Sequence, residues 1–299
     1  MSVSVEFQTG IWLNTPVTFF DIQSEHALRL AQNDSDWRFA TNDYNQVTEQ
    51  AALAESSLYQ NSCRTLYTHV KFKVTTEIVS NYYLKCQGVT PFYKLTTLDI
   101  GCSLQMLRRH LSENIRDLRY VGVDSLAKIY PDIICDVSSS AVSQAFKSVK
   151  PDVVVALDLL PTLHDTADQL TATFSRWLKA LDEKPGLYVF TIPECYKSDE
   201  HLLKLESEQW LELLNETFII EDIQAIGFLS ALPYWIGGKL PVSSKNVFQR
   251  TLNRFKEPLY EPHALKTIES MLTLVFRRIK ILRRFSHSIV VTARSRTVS

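Results

Sequence analysis

From about residue 91 onward, short runs of β-branched and other apolar residues alternate with amphipathic stretches. Such runs predict buried strands, whereas apolar residues that recur every three or four positions predict helices. The predicted strands are 97–102, 120–124, 133–137, 152–157, 186–192, 218–228 and 286–293. The predicted helices between them are 104–111, 138–149, 166–181 and 207–217. Because strands and helices alternate through short connections, we expect an α/β fold with a doubly wound, seven-stranded, mostly parallel sheet and helices on both faces.

The first part of the chain has a different pattern. Residues 1–30 alternate apolar and polar positions in places, which favours short strands or an extended arm. Apolar positions then recur at helical spacing over 45–59 and 63–85 without Gly or Pro, so two helices are predicted there. We therefore expect an N-terminal extension and helical lid at 1–90, and a main domain at 91–299 with a basic helical insertion at 233–284.

Carboxylates follow the ends of successive predicted strands. In chain order these ends read TLDIGCS, YVGVD, IICDV and VVVALDLLPTLHD. Ligands of doubly wound sheets bind at the carboxyl ends of the strands. Asp124 can accept two hydrogen bonds from a ribose diol there, and Gly101 in the first turn lets the backbone approach a ligand closely. We predict a nucleoside site, although Asp99 by itself could instead cap the helix that follows it.

The sequence carries neither of two common phosphate-binding motifs. It contains no G-x-G-x-x-G dinucleotide fingerprint and no G-x-x-x-x-G-K phosphate loop. The remaining pattern resembles the class I S-adenosylmethionine-dependent methyltransferases over about residues 95–230. The residues that carry this resemblance are LDIGC at 98–102, YVGVD at 120–124, PDIICDV at 131–137, PDVVVALDLLPTLHD at 151–165 and GLYVFTIPE at 186–194. Within that family the chain is similar to the group associated with surface polysaccharides, glycolipids and related glycosylated products.

The resemblance implies a Rossmann-like methyltransferase fold with S-adenosylmethionine as the cofactor. Asp99 would lie near the methionine part of the cofactor, Asp124 would hold the ribose hydroxyls, and Asp136 would meet the adenine. The cofactor-binding residues that we expect are Asp99, Gly101, Cys102, Ser103, Asp124, Ser125, Asp136, Val137 and Leu157.

The same resemblance implies a set of catalytic residues. His164 matches a histidine that often follows the fourth strand in relatives, and it is the candidate general base. Asp158, which with Leu157 would border the reacting methyl group, and Asp165 are the other candidates. Since the methyl group of a sulfonium is already activated, no metal is required. The implied reaction is O-methylation of a glycan, glycolipid or secondary metabolite.

The first turn departs from the family pattern. Ser103 and Gln105 stand where the family has glycines, and a Cβ at these positions can obstruct the cofactor carboxylate or force a different turn. This departure favours an alternative, a non-catalytic protein with the methyltransferase fold that binds a partner. A third hypothesis is a nucleic-acid methyltransferase.

Charge is distributed unevenly along the 299 residues, although the net charge is only −1. Residues 239–299 hold 13 Lys and Arg against 3 Asp and Glu, and residues 1–238 hold 19 against 30. The run RRIKILRR at 277–284 places five positive charges in eight residues. Such a run is usually a solvated helix face, but it also suits a phosphorylated or lipid-bearing acceptor or an anionic membrane surface.

Composition sets the broad class of protein. At 45% apolar and 22% charged residues, the chain can bury a substantial core, which excludes global disorder. Its five cysteines are odd in number and scattered, so neither a disulfide framework nor a C-x-x-C metal pair is indicated. The start lacks the pattern of a signal peptide, and no stretch of 18 apolar residues occurs. We therefore expect a cytoplasmic protein, with a peripheral membrane contact through 277–284 as the further option.

Overall fold

The computed structural model describes residues 66–103, 105–125, 131–182, 185–194, 203–232 and 263–296, together with the backbone of three short strands nearer the amino terminus. The strands are β1 (Ser4–Val5), β2 (Val17–Thr18), β3 (Trp37–Phe39), β4 (Leu95–Ile100), β5 (Leu118–Asp124), β6 (Ile133–Cys135), β7 (Val153–Ala156), β8 (Leu187–Pro193), β9 (Phe218–Ile226) and β10 (Ser288–Ser295). The helices are α1 (Leu66–Val89), α2 (Met106–Ser112), α3 (Val142–Lys147), α4 (Leu160–Leu163), α5 (Ala167–Leu181), α6 (Ser207–Thr217) and α7 (His263–Phe276), followed by a 3-10 helix (Lys280–Phe285).

All seven predicted strands lie in one sheet, with the order β3-β6-β5-β4-β7-β8-β10-β9. The strands β4, β5, β6, β7 and β8 pair in parallel with one another, whereas β10 is antiparallel to both β8 and β9. The doubly wound, mostly parallel Rossmann-like fold is therefore confirmed. An eighth strand, β3, extends the sheet by pairing antiparallel with β6, and the sequence did not predict it.

The two faces of the sheet are covered by different helices. Alternate residues of a strand face opposite sides, so Val153 and Val155 of β7 join one core, while Val154 and Ala156 join the other. The first core includes apolar residues of α1 and α2, and the second includes those of α3, α5 and α6. Helices on both faces leave the carboxyl ends of the parallel strands as the open edge where a ligand can bind.

The regions outside the parallel core agree with the predictions in part. The predicted helix 63–85 is confirmed as α1, and the other predicted helix, 45–59, lies outside the described residues. Within the 233–284 insertion, helical structure is confirmed by α7, while residues 233–262 lie outside the described part. The basic run does not form one continuous helix, because α7 ends at Phe276 and the 3-10 helix begins only at Lys280. In the described part of the chain, no helix combines the length and the apolar character needed to span a bilayer.

Candidate functional site at the carboxyl edge of the sheet

The turn after β4 is built around a glycine in the left-handed region. Gly101 has a φ of +73°, and a Cβ added there would lie 2.8 Å from Leu159 Cδ1. The backbone N–H groups of Gly101 and Cys102 donate to the carbonyl oxygen of Val123, at 2.8 and 3.1 Å. This pairing ties the first turn to the end of β5, so the predicted close approach of backbone at Gly101 has a geometric basis.

The left-handed conformation continues at two residues that are not glycine. Ser103 has a φ of +47° and Gln105 a φ of +52°, and each costs about 1 kcal/mol relative to glycine in this region. The strained turn brings the Ser103 N–H to within 3.1 Å of Asp124 Oδ2. The left-handed turn therefore forms at Ser103 and Gln105 despite their side chains, and the Ser103 N–H within it binds the Asp124 carboxylate.

Asp99 is almost completely buried, at 4% exposure, near the end of β4. Its carboxylate accepts a hydrogen bond from the Tyr120 hydroxyl, so it pairs across the sheet rather than with the amino end of α2. Burial raises the pKa of Asp99 to about 7, against the lowering effects of the Tyr120 hydrogen bond and the Lys71 charge. The group is therefore poised to change its ionisation near neutral pH when a cation approaches.

The segment after β6 is stabilised by hydrogen bonds within it and from Trp177 of α5. Asp136 is exposed, and its Oδ1 accepts hydrogen bonds from the backbone N–H and the hydroxyl of Ser138, at 2.9 and 2.7 Å. Val137 is buried, and its carbonyl oxygen accepts from Trp177 Nε1 at 2.8 Å. Ser125, the residue after β5, is exposed. Asp136 and Val137 therefore form a hydrogen-bonded turn directly after β6.

Asp158 lies at the centre of a hydrogen-bonded cluster beyond the end of β7. Its carboxylate accepts from the Tyr67 hydroxyl at 2.5 Å, from Lys71 Nζ at 2.5 Å and from the Thr191 hydroxyl at 2.8 Å. Its own backbone N–H donates to Thr191 Oγ1 at 2.6 Å. Although burial acts to raise it, the Lys71 charge and these hydrogen bonds hold the pKa of Asp158 below its usual range. A carboxylate with three donors and a low pKa is a poor proton acceptor.

Three residues that converge on Asp158 were not found from the sequence. Tyr67 and Lys71 share one face of α1 because they are four residues apart, and His287 precedes β10. The His287 ring stacks on Tyr67 with 3.8 Å between ring centroids, and burial lowers its pKa to about 4. The four-residue spacing of Tyr67 and Lys71 was the available signal, but the partner of Lys71, 87 residues away, could not be inferred from the pattern.

His164 is connected to a different part of the edge from Asp158. It is the residue after α4, and its Nε2 lies 2.7 Å from Thr173 Oγ1 of α5. Arg176 donates to the same hydroxyl at 2.7 Å and to the Ser138 carbonyl oxygen at 2.7 Å. Burial, followed by the Arg176 charge, lowers the pKa of His164. These contacts join His164 to the turn after β6 rather than to the cluster around Asp158.

The remaining predicted site residues have simpler surroundings. Leu157 is half-buried at the end of β7, and Asp165 is exposed. Cys102 and Cys135 are buried, and burial raises the pKa of the Cys102 thiol well above its usual value. Among the residues that the structure describes, no cluster of three or more His, Cys, Asp or Glu side chains is arranged to hold a metal ion.

Comparisons with known proteins give structural matches only. No protein family and no curated protein matches the chain. Among solved structures, loganic acid methyltransferase with SAH aligns at a TM-score of 0.41 and 12% identity, over 87% of this chain and 99% of that one. Phosphoethanolamine N-methyltransferase 2 from Haemonchus contortus, in complex with S-adenosyl-L-methionine, aligns at 0.40 and 16%, over 82% and 60%.

A small RNA methyltransferase aligns at a TM-score of 0.39 and 12% identity, over 75% of this chain. The chain spans only 25% of that protein and 60% of the Haemonchus contortus enzyme.

Proposed function

We propose that this chain is an S-adenosylmethionine-dependent methyltransferase whose cofactor binds at the carboxyl ends of β4, β5 and β6. The observation that carries the proposal is the turn after β4, in which Gly101 adopts the left-handed region and the Ser103 N–H donates to the Asp124 carboxylate. Asp99 and Asp136 add carboxylates at the ends of the strands on either side of β5.

The residues at this edge fit the chemistry of the proposed cofactor. Asp124 has the lone pairs to accept from a ribose diol, and the half-buried site strengthens such charge-assisted bonds. Asp99, with its pKa near 7, would gain its charge beside the cationic methionine part. Asp136 and Val137 would border the adenine. S-adenosylmethionine, when bound, supplies a methyl group already activated on a sulfonium.

The protein would contribute positioning of the acceptor, exclusion of water and removal of one proton. His164 is the base that we propose, since its lowered pKa keeps the imidazole neutral at pH 7. If its Nε2–H donates to Thr173, its Nδ1 is left to accept the proton. Asp158 would instead fix Lys71 and Tyr67 at the edge of the site.

The acceptor that we propose is a hydroxyl or carboxyl of a glycan, glycolipid or secondary metabolite. This choice is supported only by the resemblance of the sequence motifs. A cytoplasmic location, which the scattered cysteines favour, and a lid role of α1 over the site are further parts of the proposal.

A second candidate function, a non-catalytic protein with this fold, is favoured by the position of Lys71. Its ammonium lies 2.5 Å from Asp158 and also acts on the pKa of Asp99, so a protein cation already occupies the edge. Because like charges repel, a cofactor that carries a sulfonium would be repelled by Lys71 to the extent that the Asp158 carboxylate does not offset the Lys71 charge.

Equilibrium dialysis with radiolabelled S-adenosylmethionine separates the two functions. We expect the wild-type protein to bind the cofactor and the Lys71→Met variant to bind it more tightly, because one positive charge is removed. Lys73→Met, an exposed position on the same helix, is the matched control and should match the wild type. If the single variant is unstable, the double variant Lys71→Met/Asp158→Asn takes its place, because it removes both charges of the ion pair.

Binding by the Lys71→Met variant alone would favour the non-catalytic protein. No binding by any of these folded proteins would contradict the methyltransferase.

A further inference from the structure

Helix α7 buries two polar side chains and exposes several apolar ones. Glu269 is fully buried and Thr273 is 2% exposed, whereas Met271, Leu274 and Val275 are 61%, 63% and 63% exposed. A helix on the surface of a domain ordinarily turns its apolar side inward. Helix α7 departs from that expectation, because two polar side chains are its most buried residues and three apolar ones are largely exposed.

Specific hydrogen bonds hold α7 in this orientation. The Glu269 carboxylate accepts from the backbone N–H groups of Phe228, Leu229 and Ser230, at 2.8, 2.8 and 3.1 Å. These N–H groups open the helical residues 228–232, and the free N–H groups at the start of a helix attract a carboxylate. These hydrogen bonds from the buried side of α7 therefore leave several of its apolar side chains on the outside.

A second contact fixes the carboxyl end of α7. Arg277 donates through both terminal nitrogens to the two oxygens of Glu77 on α1, at 2.9 and 2.8 Å. Because Glu269 in the middle of α7 and Arg277 just after its last residue are both held, the exposed side of α7 has one fixed direction. We call the exposed residues Ile268, Met271, Leu274 and Val275 the apolar stripe.

The apolar stripe leads directly into exposed residues that alternate between apolar and cationic. The exposed apolar residues are Ile279 and Ile281. The exposed cations next to them in the sequence are Arg278, Lys280 and Arg284. From residue 263 to 296 the sequence has one acid, Glu269, and that acid is buried. The exposed surface of this segment is therefore apolar and positively charged.

We propose that the apolar stripe and these cations dock the chain on an anionic membrane surface. Apolar side chains at a bilayer interface enter the headgroup region, and Lys and Arg beside them reach the lipid phosphates. Charge complementarity selects this partner, since the cations border the stripe and the segment itself has no exposed carboxylate; Arg278 also donates to Asp222 of β9 at 3.3 Å. The proposal does not depend on methyl transfer.

Co-sedimentation of the full chain with vesicles tests the proposal. We expect binding to phosphatidylcholine vesicles that contain phosphatidylserine, little binding to pure phosphatidylcholine, and at least a roughly tenfold loss of binding in high salt. The double variant Met271→Glu/Leu274→Glu should bind the vesicles that contain phosphatidylserine roughly tenfold more weakly than the wild type does. Lys280→Gln/Arg284→Gln should remove most of the dependence on phosphatidylserine.

Leu84→Glu/Val89→Glu is the matched control, because both residues are exposed on α1, outside the stripe, and it should bind as the wild type does. Thermal unfolding checks that each variant is folded. If a variant is not folded, the binding of the wild type to the two kinds of vesicle decides the test. Absence of binding to anionic vesicles in low salt would overturn the proposal, as would equal binding to neutral vesicles. A dimer in sedimentation velocity that the Met271→Glu/Leu274→Glu variant dissociates, without vesicle binding, would assign the stripe to a second copy instead.

Discussion

Asp99 illustrates at the scale of one residue how burial places a titration near neutral pH. Its pKa is about 7 in the folded chain, against about 3.9 for an unfolded aspartate. The folded state therefore binds the proton more tightly than the unfolded state does. Sequence reasoning located Asp99 at the strand end, but its partner Tyr120 and its complete burial follow from the neighbouring strand.

This pKa predicts how stability depends on pH. The contribution of Asp99 to the free energy of unfolding should be highest below about pH 4, fall as the pH rises to about 7, and then level off. Asp99→Asn, which can still accept from Tyr120, should remove that fall of a few kcal/mol, at about 1.4 kcal/mol per pKa unit. Urea unfolding of both proteins across this range measures the difference, and parallel pH profiles would contradict the assignment.

Ser103 has a left-handed backbone that glycine would adopt without strain. Because its side chain is exposed, Ser103→Gly should raise the free energy of unfolding by about 1 kcal/mol through relief of that strain. Ser103→Ala keeps a Cβ and should give no such gain. Chemical denaturation compares the three proteins, and equal stability of the Gly and Ala variants would show that the turn is not strained.

At the scale of elements, periodicity located the strands well and the tertiary contacts poorly. Each of the seven strands begins and ends within two residues of its prediction, and α6 matches its predicted range, because buried strands and amphipathic helices have strong local patterns. Strand β3 was missed because an edge strand of three residues has too little pattern. The cluster of Tyr67, Lys71 and His287 was missed because its members meet only after the sheet forms.

Helix α7 depends on one buried carboxylate for its attachment. Glu269→Ala leaves three backbone N–H groups without their acceptor, so we expect a loss of roughly 2–4 kcal/mol in the free energy of unfolding. Glu77→Ala removes the partner of Arg277 at a position that is 43% exposed, and it should cost less than about 1 kcal/mol. Thermal unfolding of the two variants tests this ranking, and a larger loss for Glu77→Ala would show that α7 is held mainly from α1.

At the scale of the whole molecule, the sheet collects residues that are far apart in the sequence. The turn after β4, the carboxylate after β5 and the hydrogen-bonded turn after β6 share one edge because their strands are adjacent and parallel. α1 adds Lys71 to that edge, and the antiparallel β10 brings His287 there. Five of the cations that cause the charge asymmetry of the sequence lie between α7 and β10, apart from these strand ends in the chain: Arg277, Arg278, Lys280, Arg283 and Arg284.

Calorimetric titration with S-adenosylhomocysteine tests the central claim, a nucleoside site at the carboxyl edge, most directly. It is to be carried out on the wild type, on Asp124→Ala and on Asp117→Ala, which removes an exposed carboxylate from the opposite end of the same strand. We predict binding by the wild type and by Asp117→Ala, and a loss of more than about 1.5 kcal/mol of binding free energy in a folded Asp124→Ala variant. Absence of binding by the wild type, or equal affinity of all three proteins, would contradict the site described here.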